Sequence, residues 1–247
     1  MQNGGINMRG MIIAGGAGTR LHPLTKITNK HLLPVYDKQM IFYPLETLKR
    51  SGIKDILIIS SPGHAGQFLE LLASGYDMGL NLSYTIQEKP IGIAHAMWIG
   101  LKEMGTDEPI VVMLGDNIID GTIEEDIKNF KGGAKVFLKP VNNPTDFGVA
   151  FMNDQKVITK IVEKPTETKS NLAVVGLYIY DAKAYEHILT LTLSDRGEVE
   201  VTDLNNIYAK NGQLDYRILD GLWLDAGTME GRYEATKLMR RRKMENE

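Results

Sequence analysis

The apolar run Met11-Ile12-Ile13 leads straight into Gly15-Gly16-Ala17-Gly18-Thr19-Arg20-Leu21. Glycines let a backbone turn sharply and approach a ligand, and successive amide N–H groups in such a turn make an anion-binding concavity. Gly15, Gly16, Gly18 and Thr19 thus form a candidate phosphate loop, to which Arg20 adds a planar fork of donors. Lys30 follows closely, and a cation there can neutralise a polyphosphate and the charge that shifts onto a leaving group. Asp116 comes directly after the run Ile110–Leu114 and Gly115, and Asp225 after Leu222-Trp223-Leu224. A carboxylate at the end of a buried strand is exposed at the ligand edge of an open sheet. Two such groups could share one Mg²⁺, a hard cation that takes few protein oxygens. Spacing alone does not pair them. Asp116 could equally open a turn with Asn117, and Asp225 could cap a helix near Thr228.

Common alternatives fail on particular residues. A dinucleotide fingerprint needs a glycine where Leu21 stands, and an acid where the second strand ends in Ser60-Ser61. A P-loop needs Gly-Lys followed by Ser or Thr, and a serine-hydrolase elbow needs Gly-x-Ser-x-Gly; neither is present. His22, His31, His64, His95 and His187 lack metal-ligand spacing and read as surface or satisfied structural residues. With no cysteine, disulfides and thiolate sites are excluded. Lys plus Arg is 28 against 31 Asp plus Glu, net −3, which gives no electrostatic reason to bind nucleic acid. No apolar run approaches the roughly 18–20 residues of a membrane span. Residues 1–7 lack a secretory core and read as a mobile extension, which points to the cytoplasm. Arg240-Arg241-Arg242-Lys243 suits the C-terminus of a helix, whose dipole favours cations.

The elements that must carry these residues alternate. Met11–Ile13, Ile56–Ile59 and Ile110–Leu114 are continuous apolar runs, as in strands buried on both faces. Helical spacing links Ala65, Phe68, Leu69 and Leu72; Ile93, Met97, Leu101 and Met104; and Ile123, Ile127 and Phe130. The later chain predicts strands at 135–139, 149–152, 157–162 and 172–180, then helices at 182–190, 201–210 and from 229 onward. The pattern predicts an α/β fold: a doubly wound, mostly parallel, Rossmann-like sheet with a smaller, more antiparallel lobe. With no linker or repeat, one domain over 1–247 is expected, in halves of about 8–130 and 131–247.

The glycine loop with Asn29-Lys30-His31-Leu32-Leu33-Pro34 resembles the signature of the sugar-phosphate nucleotidylyltransferases, and within them the thymidylyl branch. Further matching motifs follow in order: Leu114-Gly115-Asp116-Asn117, Phe147-Gly148-Val149-Ala150, Glu163-Lys164-Pro165 and Val175-Gly176-Leu177-Tyr178. Arg196-Gly197-Glu198, Thr202-Asp203 and Trp223–Thr228 complete the series, which spans about residues 9–235.

The resemblance implies a Mg²⁺-dependent transfer of the thymidylyl group from dTTP to α-D-glucose 1-phosphate, giving dTDP-glucose and pyrophosphate. It implies that Asp116 and Asp225 meet at the metal, and that Arg20 and Lys30 hold the triphosphate. Glu-Lys-Pro occurs twice; the resemblance places the sugar-phosphate lysine in the second copy, at Lys164, with Glu163 accepting from the sugar hydroxyls. Gln87 and Gly92 would meet the base. Gly148 and Val175 would line the sugar pocket, Arg196 would lie near the sugar phosphate, and Asn117 would reach sugar or phosphate. Glu198, Glu200 and Asp203 carry no catalytic role in this reading.

Gln87 reads an edge that thymine and uracil share, so UTP is an alternative substrate. A non-catalytic nucleotide-sugar sensor on the same fold is a further reading, whereas an NAD-dependent oxidoreductase is disfavoured by Leu21 and the missing ribose acid. A homo-oligomer is compatible with the resemblance. Longer relatives carry a further helical segment after the last motif, so their tetramer and end-product regulation are not carried over to this chain.

Overall fold

The computed structural model describes residues 8–105 and 107–246; the expected extension at residues 1–7 lies outside them. In chain order the first elements are β1 (Arg9–Ala14), β2 (Pro34–Val35), β3 (Lys38–Gln39), α1 (Phe42–Arg50), β4 (Asp55–Ser60), α2 (Ala65–Leu72) and β5 (Asn81–Ile86). Next come α3 (Ile93–Met104), β6 (Ile110–Leu114), β7 (Asn117–Ile119), α4 (Glu124–Lys128), β8 (Ala134–Pro140), β9 (Gly148–Met152) and β10 (Ile158–Glu163). The last are β11 (Leu172–Tyr180), α5 (Ala184–Leu189), α6 (Val201–Lys210), β12 (Leu214–Ile218), β13 (Trp223–Asp225) and α7 (Met229–Asn246). They form two compact units. One comprises Arg9–Pro90, Met113–Glu125 and the segment that begins at Gly221; the other comprises Ile91–Val112 and Asp126–Asp220.

The first unit holds the expected parallel strands. β1 pairs with β4 from Gly10↔Ile56 to Ala14↔Ser60, and β4 pairs with β5 from Asp55↔Asn81 to Ser60↔Ile86. The crossovers that parallel pairing requires include α1 and α2. β1 and β4 are apolar and buried almost throughout, as strands covered on both faces must be. β5 carries Asn81, Ser83 and Thr85 and is half exposed, because it ends the strand order and pairs with β4 alone.

α1 is absent from the periodicity reading. Pro44 sits in its first turn, where an N–H has no intrahelical acceptor and the ring costs little. The helix buries Tyr43, Leu45 and Leu48 and clamps β7: Thr47 Oγ1 and an Arg50 guanidinium N–H both donate to the Ile119 carbonyl. α7 is strongly polar and buries Ala235, with Met239 partly covered, against Val35, Met40, Tyr43 and Ile118. Part of the basic run fastens it. Arg242 grips Asp120 through two bonds of 2.6 and 2.7 Å, and Lys243 reaches Asp37 at 2.7 Å.

The second unit is the antiparallel lobe. β11 pairs antiparallel with β8 and β9, β9 with β10, and β12 runs parallel to β8. The Asn206 side chain of α6 treats β10 as a neighbouring strand would. Its amide donates to the Ile161 carbonyl and accepts from the Ile161 N–H, each at 2.8 Å. Among the described residues no helix is long and apolar enough to cross a membrane.

Leu48 is fully buried. Leu48→Ala is expected to lower unfolding free energy by about 2–5 kcal/mol, read from urea denaturation.

Candidate active site

The glycine loop leaves β1 with φ +96° at Gly16 and +61° at Gly18, values that L side chains rarely adopt. Thr25 Oγ1 donates to the Gly18 carbonyl at 2.7 Å, and buried Leu21 pins the short turn at Thr19–Leu21. Thr19 and Arg20 are left exposed. Leu21, which spoils the dinucleotide fingerprint, is therefore the anchor of a different loop. Gln87 directly follows β5 and is buried, and its N–H donates to the Ser60 carbonyl at 2.9 Å. A Cβ on Gly15 would lie 3.1 Å from Gln87 Oε1, so the glycine makes room for that amide.

Lys30 opens a three-residue turn capped by Asn29. The buried Asn29 amide donates to the Ala14 carbonyl at 2.9 Å. Its oxygen accepts from the His31 N–H at 2.9 Å and lies 2.7 Å from His31 Nδ1. Because the amide nitrogen is committed to Ala14, the oxygen must accept from a protonated Nδ1. Burial, then the Lys30 ammonium, pushes the His31 pKa down to about 3, so the ring is neutral with its lone pair on Nε2. The ring also lies where a side chain on Gly115 would be, 2.7 Å from a Cβ built there. Asn29 and His31 thus tie the root of the glycine loop and the backbone of Lys30 to the segment before Asp116.

Asp116 and Asp225 meet because their strands pair. β7 and β13 run antiparallel with Asn117 opposite Asp225, and the Ala226 N–H donates to the Asp116 carbonyl at 2.9 Å. A Cβ on Gly227 would lie 2.6 Å from Asp116 Oδ2, 2.9 Å from Asp225 Oδ1 and 3.2 Å from an Arg20 guanidinium nitrogen. Both carboxylates and Arg20 therefore converge on one small space that only glycine leaves open. The Lys30 ammonium pairs with Asp116 Oδ2. Asn117 donates to Asp116 Oδ1 at 3.0 Å and accepts the Trp223 indole N–H at 2.6 Å. Asp225 Oδ1 accepts from the Gly227 N–H at 2.8 Å, while Thr228, not Asp225, caps α7 through the Gly231 N–H.

Burial, the largest single influence, raises Asp116, but the Lys30 ammonium together with His31 and the Asn117 amide holds the carboxyl well below the usual range. Burial and then the Asp116 charge raise Asp225, against the pull of the Gly227 N–H, Lys30 and Arg20. The donors present are hard oxygens flanked by cations, which suits a divalent metal carrying phosphate. Among the described residues no group of three or more His, Cys, Asp or Glu could hold a metal, so a metal here would take the rest of its shell from ligand and water.

The second unit gathers most of the other predicted residues. Glu163 ends β10 opposite Gly148. Its Oε2 accepts from Thr202 Oγ1 at 2.6 Å and its Oε1 from Arg196 at 3.2 Å. A Cβ on Gly148 would lie 3.2 Å from Glu163 Oε2 and 3.4 Å from Thr202 Oγ1. Lys164 takes φ +40°, and its N–H donates to the Phe147 carbonyl at 3.0 Å. A left-handed lysine is strained, a condition that surrounding structure sustains chiefly at functional sites. Arg196 also pairs with Glu198 at 3.3 Å and Glu200 at 3.4 Å, so two of the acids set aside in the sequence reading anchor it. Val175 is fully buried within β11. Gly92 has φ +110°, and a Cβ there would sit 2.4 Å from the Val199 carbonyl; its freedom serves close packing before α3.

Asn29, Gly227 and Thr202 lie inside the matching motifs, but the sequence reading gives them no role. A small residue beside an aspartate, in Asp225-Ala226-Gly227, was the signal available for Gly227. Asn29→Ala would strand three buried polar groups. It is expected to cost about 3 kcal/mol or more in urea unfolding, since each of the three unsatisfied groups costs about 1–3 kcal/mol.

The nucleotidyl transferase family model matches residues 9–242. The glucose-1-phosphate thymidylyltransferase of Neisseria meningitidis is 44% identical, over 94% of this chain and 82% of its own length. That of Mycolicibacterium smegmatis is 43% identical over the same shares. A crystal structure from Bacillus anthracis, provisionally named a glucose-1-phosphate thymidylyltransferase and complexed with a sucrose, is 45% identical. It superposes with a TM-score of 0.88 over 94% of this chain and 95% of that one. UDP-glucose pyrophosphorylase complexed with UDP-glucose shares the fold, with a TM-score of 0.85 at 24% identity over 96% of this chain and all of that one. The family match over residues 9–242 and the identity to these relatives over most of their length show that the chain belongs to the nucleotidyl transferase family.

Proposed function

We propose that the chain transfers the thymidylyl group of dTTP to α-D-glucose 1-phosphate, giving dTDP-glucose and pyrophosphate. The convergence of Asp116, Asp225, Arg20 and Lys30 around Gly227 carries this reading. The relatives' activity and their 42–44% identity support the choice of substrates. An oxygen of the sugar phosphate forms a bond to the α-phosphorus, and the bond to pyrophosphate breaks. That oxygen is already anionic at neutral pH, so the protein supplies no nucleophile. Its contribution is orientation and charge stabilisation.

Each residue then has a task. The glycine-loop amides with Arg20 and Lys30 hold the triphosphate. Gln87 pairs with the pyrimidine edge, beside the space that Gly15 leaves. Lys164 holds the hexose phosphate, and Glu163, fixed by Thr202 and Arg196, accepts from sugar hydroxyls. Asp116 and Asp225 would hold Mg²⁺, which when bound neutralises phosphate charge and helps orient the triphosphate. The Asn117 side chain, engaged by Asp116 and Trp223, supports the pair.

Mixing dTTP, α-D-glucose 1-phosphate and Mg²⁺ with the full chain is expected to release pyrophosphate and form dTDP-glucose. Nucleotide binding without product would show a sensor instead. UTP is the rival donor. A methyl pocket is worth only about 1–3 kcal/mol, so dTTP is expected to win by roughly 10–200-fold in kcat/KM; parity or reversal would reassign the donor. Asp116→Asn is expected to lower kcat by about 10²–10³-fold, the scale for losing a key charge-stabilising contact. Lys164→Met should act mainly on KM for the sugar phosphate and spare KM for dTTP. Full Mg²⁺-dependent turnover in Asp116→Asn would refute the metal assignment.

A further inference from the structure

Asp116 uses its two oxygens differently. Oδ1 accepts from the Asn117 amide. Oδ2 faces the space at Gly227 shared with Asp225, and this is the oxygen that the Lys30 ammonium pairs with. The side chains are 14% and 8% exposed, so little solvent separates or screens the two charges. Lys30 is also not adrift. Its turn is bolted by Asn29 to the Ala14 carbonyl and by the Ile41 N–H to the His31 carbonyl. We propose that the Lys30 ammonium is a tethered occupant of the divalent-ion position, which it vacates only when a triphosphate offers it other acceptors. Ion and triphosphate are then coupled. The ion binds poorly to the free protein because a fixed positive charge already holds the oxygen it needs, and the triphosphate draws that charge away. This inference rests on the reading that Asp116 and Asp225 hold the ion.

Mn²⁺ is a suitable probe, with its binding to the full chain followed by electron paramagnetic resonance and no nucleotide present. Lys30→Met is expected to bind Mn²⁺ at least about tenfold more tightly than wild type, within the usual range of coupling between sites. Asp225→Asn in the same background is expected to abolish the gain. Circular dichroism and a melting curve verify folding, and Lys30→Gln replaces a Met variant that does not fold. Equal Mn²⁺ affinity in folded wild type and folded Lys30 variants overturns the proposal. A separate arm titrates Mn²⁺ into wild type and Asp225→Asn with α,β-methylene-dTTP. Loss of ternary binding in Asp225→Asn upholds the carboxylate pair whatever the Lys30 variants do. Unchanged ternary binding removes the pair as the ion's site, and this inference with it.

Discussion

Two acids of like charge are held within reach of each other in a nearly dry corner, and the rest of the structure exists around that constraint. Left to burial and mutual repulsion, both would give up their charge. The asymmetry between them shows how this is managed: Lys30 and Asn117 keep Asp116 ionised, while Asp225 has one backbone N–H and more distant cations. A buried ion pair of this kind contributes little net stability, and removing one partner is far more costly than never having had the pair. What it provides is a defined place for positive charge. The β7–β13 pairing fixes the distance, α1 braces β7 from behind, and Gly227 leaves the space open.

The sugar side follows a different logic. Glu163 and Lys164 are adjacent, yet they are held by unrelated means. Glu163 is fixed by side-chain partners, Thr202 and Arg196, whereas Lys164 is fixed by its backbone, locked left-handed before Pro165 and bonded to Phe147. The residue before proline already avoids the right-handed helical region. The backbone strain and the bond to Phe147 thus fix where the root of the lysine side chain sits, while its rotamers stay free on the exposed surface. Asn206 of α6 holds Ile161, two residues upstream, against slippage of the strand that presents both.

How far this was legible in the sequence depended on what kind of force placed each residue. β1, β4 and β6 could be read because strands covered on both faces must be apolar at every position, and that leaves an unbroken run. α3, α6 and α7 were legible through periodicity and helix-forming composition. α1 was hidden by Pro44, whose first-turn tolerance depends on a helix start that nothing in the local pattern announces. β5 was hidden because an edge strand need not be apolar, and β7 because three residues after an aspartate look like a turn. In the site, Arg20, Lys30, Asp116 and Asp225 stood out because they sit at loop and strand ends. Their meeting did not, since it depends on pairing between strands far apart in the chain, and family resemblance supplied it. Asn29 and Thr202 lie within the matching motifs, but nothing in the sequence assigned them a role. Their roles come from hydrogen bonds to partners that only folding chooses.

The polypeptide passes between its two compact units several times, and the unit bearing the acids is completed by the segment that begins at Gly221. During synthesis, then, Val35, Met40, Tyr43 and Ile118 leave the ribosome long before Ala235 and Met239 exist to cover them. Until then this apolar cluster lacks the helix that covers it in the folded chain. Because β13 and Gly227 belong to the same late stretch, the ion-binding corner cannot form on an unfinished chain. An unfinished chain therefore lacks both the cover over those apolar side chains and one of the two acids.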